Sequence, residues 1–261
     1  MKEIIKNYGY WGPGDGNERV YITKGQLVSG STIGILVQDV HYPLVPGNVV
    51  NADTYNYPVR MEIVDGANQA RMHTGDSTLL PALVETAKKL ELQGCRAICA
   101  ACGYFGHFQK QVADRVDIPV YLSSIVQVPW IRVGLKEGQK IGILCADRKN
   151  LTKRVFDACG VSEQDQNICC IAGAGHLPEF SALLERRGHF DNGILREELI
   201  QLTKSLIAEN PDIGAILLEC SDMPPYSAAI QREIKLPVYD FITMINYVHS
   251  VVAHKPYYGF M

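Results

Sequence analysis

Short apolar runs alternate with amphipathic segments along most of this chain. Residues 31–38 are apolar and β-branched, and residues 59–64 form a second such run. Leu79, Leu80, Leu83, Val84, Ala87 and Leu90 then fall at helical spacing, with Gly94 just beyond them. Brief continuous apolar runs read as strands buried on both faces. The 3–4 spacing reads as a helix, and the glycine as its stop. Strands are predicted next over 96–101 and 118–122, with helices over 105–116 and, despite Pro129, 123–135. The pattern then restarts. Strands are expected at 140–145, 167–171, 214–219 and 236–241. Helices are expected at 151–158, along the Leu195, Leu199, Leu202, Leu206 face, and up to about residue 233. A last helical run covers 242–253. Residues 1–30, rich in Gly, Asn and Tyr, read as an irregular extension packed on the first strands and helices, with a short strand of its own near 19–23.

The restart is a repeat. Ala97-Ile98 is followed by three residues, Cys102, sixteen residues and Pro119-Val120-Tyr121; Ala215-Ile216 is followed by three residues, Cys220, sixteen residues and Pro237-Val238-Tyr239. Upstream, Ile33-Gly34-Ile35-Leu36 with Asp39 recurs as Ile141-Gly142-Ile143-Leu144 with Asp147. We read an internal duplication of about a hundred residues. Strands alternating with helices predict parallel sheets flanked by helices. The expected fold is therefore α/β, in two pseudo-symmetric lobes with the active site in the cleft between them. The first lobe takes residues 1–131, the second 132–240, and a C-terminal helix in 241–261 packs back on the first.

Composition narrows the function. The chain is 47% hydrophobic and 20% charged, with a net charge of −3, which gives no electrostatic case for nucleic acid or an anionic membrane. The first six residues lack the apolar run of a leader, and no stretch approaches the roughly 20 apolar residues of a membrane span. A cytoplasmic protein, a homo-oligomer acting on a small molecule, is expected. No P-loop is present, Gly173-Ala174-Gly175 is too short to argue a dinucleotide site, and no four-ligand Cys/His set appears. Neither cofactor nor metal is expected.

Six of the eight cysteines lie within apolar runs or at a helix end and read as buried thiols. Cys102 and Cys220 instead stand where strands stop, just before predicted helices. Backbone N–H groups and the helix dipole there are expected to favour the thiolate. Two thiols in mirror positions suit symmetric chemistry on one carbon: one removes a proton from one face while the other delivers a proton to the opposite face.

The duplicated lobes and paired strand-end cysteines resemble the aspartate/glutamate/hydantoin racemase superfamily from about Ile33 to Phe241. That resemblance implies cofactor-independent proton transfer by Cys102 and Cys220, and so a racemase or epimerase of an amino acid or related carboxylate. The stretch from Leu218 to Tyr226 looks like a racemase-like subfamily. The substrate-reading positions differ: Gly103-Tyr104 replaces the Asn-Thr of glutamate racemases, Ser221-Asp222 replaces their Thr-His, and Val37-Gln38 their Asp-Ser. Candidate substrate contacts are Asp39, Asn48, Gly103, Tyr104, Ser221 and Asp222; Ser221 and Asp222 also suit helix capping. Other enzymes of the fold (a hydantoin racemase, a maleate-isomerase-like enzyme) and a non-enzymatic binding protein stay open. So does a redox or metal-binding role for Cys99 and Cys102 as a C-x-x-C pair.

Overall fold

The computed structural model describes residues 11–12 and 20–261. Most of the Gly- and Tyr-rich N-terminal stretch, and Arg19, lie outside the described residues; residues 20–23 form no strand.

The first half builds β1 (Ile33–Asp39), β2 (Val59–Asn68), β3 (Ala97–Ala101) and β4 (Val120–Tyr121). The second builds β5 (Lys140–Cys145), β6 (Cys169–Gly173), β7 (Ile213–Leu218) and β8 (Val238–Tyr239). Each set forms one all-parallel sheet, in the orders β2-β1-β3-β4 and β6-β5-β7-β8. The repeat extends to register. Ile33 pairs with Ala97 as Ile141 pairs with Ala215, and Ile98 with Val120 as Ile216 with Val238.

The duplicated glycine has a packing cause. A Cβ on Gly34 would lie 3.0 Å from Leu90, on helix Leu80–Leu92, and 3.1 Å from Ile98. On Gly142 it would lie 3.2 Å from Leu206, on helix Asn192–Glu209, and 2.6 Å from Ile216. In both lobes the glycine lets one helix settle directly onto the central strand. The other face of the first sheet is covered from the far end of the chain. Helix Phe241–Val252 buries Phe241, Met244, Ile245, Val248 and Val252 against Ile33, Ile35, Ala97 and Cys99. Asp240 starts that helix with a capping box, accepting from Thr243 N–H at 2.7 Å while its own N–H donates to Thr243 Oγ1 at 2.9 Å.

Local structure departs from the periodicity where turns tighten. The predicted helix after β3 opens as a 3₁₀ turn, Gly103–Phe108, leaving only Gln109–Ala113 α-helical. Pro129 is accommodated because a 3₁₀ turn, Ser124–Gln127, precedes helix Val128–Val133 and leaves the proline in its first turn. β2, an edge strand, runs past its expected end at Val64 through Asp65-Gly66 to Asn68. Among the described residues no helix is long and apolar enough to cross a membrane.

Candidate active site

The carboxyl ends of β3 and β7 meet at one narrow cleft, the expected binding edge of a parallel sheet. Cys102 follows β3 directly, Cys220 follows β7 after Glu219, and both thiols are buried in the cleft wall. The lobes contact each other reciprocally around it. The turn after β3 reaches the loop after β5: the Tyr104 hydroxyl donates to the Asp147 carbonyl at 2.7 Å and accepts from its N–H at 2.9 Å. The loop after β1 reaches the turn after β7: the Tyr42 hydroxyl donates to Asp222 at 2.9 Å, and Asn48 Nδ2 donates to the same carboxylate at 2.6 Å. The space left between the walls is about 20 Å³, room for one water. A substrate of several heavy atoms enters only as the walls part.

The electrostatics overturn the expectation of ready thiolates. Burial pushes the Cys102 thiol far up, and the Glu219 carboxylate adds to this; backbone N–H groups of Tyr104 and Phe105 pull the other way without prevailing. Burial, then Asp222 and Glu219, lift Cys220 well above the usual thiol range. No α-helix begins at either cysteine to offset this: a 3₁₀ turn follows Cys102, and the residues after Cys220 form a turn before Pro224–Tyr226. Both cysteines are therefore neutral thiols at neutral pH, and Cys220 Sγ donates to Asp222 Oδ2 at 3.5 Å.

Of the residues singled out from sequence, Cys102, Gly103, Tyr104, Cys220, Ser221 and Asp222 line this cleft. Asn48 stands just behind it, buried and bonded to Asp222. Asp222 therefore accepts bonds in the wall of the cleft instead of capping a helix. Asp39 stands apart. At the end of β1 Gln38 is buried, while Asp39 turns out and pairs with His41 at 3.1 Å on the surface. Asp147 orders its own loop, accepting from Lys149 N–H and Asn150 Nδ2, and His176 lines a separate groove.

Sequence reasoning missed Tyr42, His73 and above all Glu219. Burial lifts the Glu219 carboxyl to about 8, and neither of its oxygens has a hydrogen-bond partner among the described residues. A signal was available: Glu219 occupies the repeat position of Ala101, a carboxylate in an otherwise apolar strand end.

The family model for Asp/Glu/Hydantoin racemase matches residues 58–245. The chain belongs to that family. Curated relatives within reach include dimethylsulfoniopropionate lyase 7 of Emiliania huxleyi, 27% identical over 237 residues, covering 87% of this chain and 69% of that protein. The dimethylsulfoniopropionate lyase of Durusdinium sp. clade D is 28% identical over 244 residues, 90% of this chain and 80% of that one. Among solved structures, allantoin racemase from Pseudomonas fluorescens superposes with a TM-score of 0.56 at 14% identity, covering 88% of this chain and 99% of that one. The two-lobed α/β fold of this enzyme family is thus the fold of this chain.

Proposed function

We propose that this protein is a lyase that eliminates a β-onium group from a small carboxylate, with dimethylsulfoniopropionate as the leading substrate. One observation carries the reading. Among the described residues no Lys or Arg lines the cleft, and burial holds its one histidine, His73, towards the neutral form; two acidic side chains, Glu219 and Asp222, and two phenol rings, Tyr42 and Tyr104, line it instead. Such a wall disfavours a second carboxylate, as on aspartate or glutamate, and suits a cation, through charge and through the faces of aromatic rings. The lyase relatives support the same choice.

The chemistry needs one base. A cysteine thiolate takes a proton from the carbon next to the substrate carboxylate. The C–H pair becomes the new C=C bond, the bond from the β-carbon to sulfur breaks, and dimethyl sulfide leaves with that electron pair. Acrylate remains, and the thiol returns its proton to solvent. The onium charge offsets the acidic side chains that otherwise oppose ionisation of a thiol on this wall. The Gln38 and Gln69 amides and the Ser221 hydroxyl, all on the wall, are neutral groups suited to the substrate carboxylate.

A second reading, two-base racemisation of an amino acid or related carboxylate, is favoured by the matched placement of both thiols on one cleft. Purified protein given dimethylsulfoniopropionate should release dimethyl sulfide and acrylate in equal amounts, measured by headspace gas and by absorbance. No gas, together with loss of optical rotation or α-deuterium uptake on an amino acid, would reverse the order of the two readings.

A further inference from the structure

We propose that Glu219 is the counter-ion that selects an onium substrate: its carboxyl stands without a partner in the closed cleft and pairs with the positive group of an incoming ligand. This assignment rests on the reading above for its choice of substrate class.

The two carboxylates of the cleft are unlike. Asp222 is engaged, accepting from Tyr42, Asn48 and Cys220. Glu219 is wholly buried, and both of its oxygens lack a hydrogen-bond partner among the described residues. A buried carboxyl left so is costly and calls for an explanation. Among the described residues its surroundings supply no cation: His73, on the same wall, is pushed towards the neutral form by burial. It faces Cys102 and Tyr104 after β3, Cys145 at the end of β5, Cys159 after helix Lys153–Ala158, and the adjacent Cys220. Each of these is neutral or becomes negative on titration. The fold does not require the carboxyl, since the first lobe carries Ala101 at the equivalent position. Gly103 makes room for it: a Cβ there would fall on the Glu219 carboxyl.

The pairing has a proton signature. With its pKa lifted to about 8 by burial, Glu219 is protonated at neutral pH. A bound cation favours the carboxylate, so the O–H bond breaks and the proton passes to solvent. Affinity for a cation then rises about tenfold per pH unit below about 8 and levels off above it.

The test uses two probes of one shape on the whole protein: 3-(trimethylammonio)propionate and its neutral-headed isostere 4,4-dimethylpentanoate. Titration calorimetry in buffers of different ionisation enthalpy should show the onium probe binding at least about 30-fold more tightly at pH 8. Near pH 6.5 its binding should release close to one proton. Glu219→Gln should bring the affinity ratio to within a few-fold of one and abolish the release. Equal affinities in the native protein, no binding of the onium probe, or selection and release that persist in Glu219→Gln would each overturn the assignment. A second measurement does not depend on that variant folding. In [¹³C]glutamate-labelled native protein, the infrared band of a protonated glutamate carboxyl should vanish when the onium probe is added, and a band that stays would overturn it too. Dimethyl sulfide release is assayed in parallel. Charge selection through Glu219 without gas removes the lyase reading alone; gas with selection intact in Glu219→Gln removes this assignment alone.

Discussion

Gly103 and Glu219 touch across the cleft so closely that a methyl group on the glycine would occupy the place of the carboxyl and lie 2.7 Å from the Glu219 carbonyl oxygen. Gly103→Ala should therefore displace the carboxyl or the turn that carries Cys102. Overpacking of this kind costs about 1–3 kcal/mol of stability, and we expect at least a 100-fold loss in kcat/KM for elimination, a loss of about 2.7 kcal/mol in transition-state stabilisation. Steady-state kinetics and a melting curve read both. Native-like kinetics would mean that the turn yields freely and the contact has no role.

The two cysteines should not be equivalent in elimination. Both thiols are opposed by Glu219 and Asp222, but the Cys102 sulfur receives two backbone N–H groups and Cys220 one, and Cys220 lies directly against the Asp222 carboxylate. Cys102→Ser should lower kcat by about 1,000-fold or more, in line with loss of an essential base, and Cys220→Ser by about tenfold to 100-fold. Racemisation, if present, needs both thiols and should fall to the same floor in either variant. An elimination rate lost in Cys220→Ser and kept in Cys102→Ser would exchange the two roles.

Alkylation separates the empty from the occupied cleft. With both thiols neutral and buried, iodoacetamide should label Cys102 and Cys220 slowly at pH 7, far more slowly than a free thiol, and the rate should climb through the alkaline range. Rapid labelling of either residue at pH 7, read by peptide mass spectrometry, would contradict the electrostatics described above.

Glu219 also leaves a mark on stability. Its carboxyl titrates near 8 in the fold against about 4.5 when unfolded, so the folded state holds the extra proton between those values. Stability contributed by the neutral, buried acid is complete below pH 4.5 and is lost as pH rises towards 8, by about 1.4 kcal/mol per unit. Glu219→Gln, which cannot ionise, should be close to the native protein at pH 4.5 and more stable by a few kcal/mol at pH 8.5. Denaturant titrations at the two values give the difference; a constant difference would mean that the acid does not titrate in this range.

Tyr42→Phe removes one of the donors that hold Asp222. A lost hydrogen bond to a charged group costs about 1.5–3 kcal/mol, and the lifted carboxyl of Asp222 should rise further, because Tyr42 is among the groups that hold it down. Activity should fall about tenfold, with the acid limb of its pH profile moved to higher pH. An unmoved limb would place Asp222 outside the catalytic titration.

Much of this architecture was legible because it is written twice. The Ile-Gly-Ile-Leu motif marks both central strands, and the spacing from Ala-Ile through Cys to Pro-Val-Tyr marks both neighbouring pairs in the same register. A repeat, however, reveals what the halves share, and the cleft depends on where they differ. Glu219 stands against Ala101, and Tyr42 reaches Asp222 from 180 positions away. Asp39 matches Asp147 by spacing, yet it turns to solvent at the strand end while Gln38 beside it is buried, which spacing does not encode. The thiol electrostatics were misread for a related reason. Strand-end position was visible, and Glu219 and Asp222 flank Cys220 in the sequence, but the depth of burial and the reach of both carboxylates to Cys102 exist only in three dimensions.

The helix Phe241–Val252 imposes an order on the birth of the molecule. It covers the face of β1 and β3 that carries Ile33, Ile35, Ala97 and Cys99, yet it follows β1 by about 200 residues. At translation rates of ~5–20 residues per second, β1 waits roughly 10–40 s on the ribosome before its cover is made. The first lobe therefore cannot complete ahead of the second, whatever their likeness as repeats. Its sheet stays half-covered throughout that interval, and a released chain truncated before Phe241 should remain protease-sensitive in its first half.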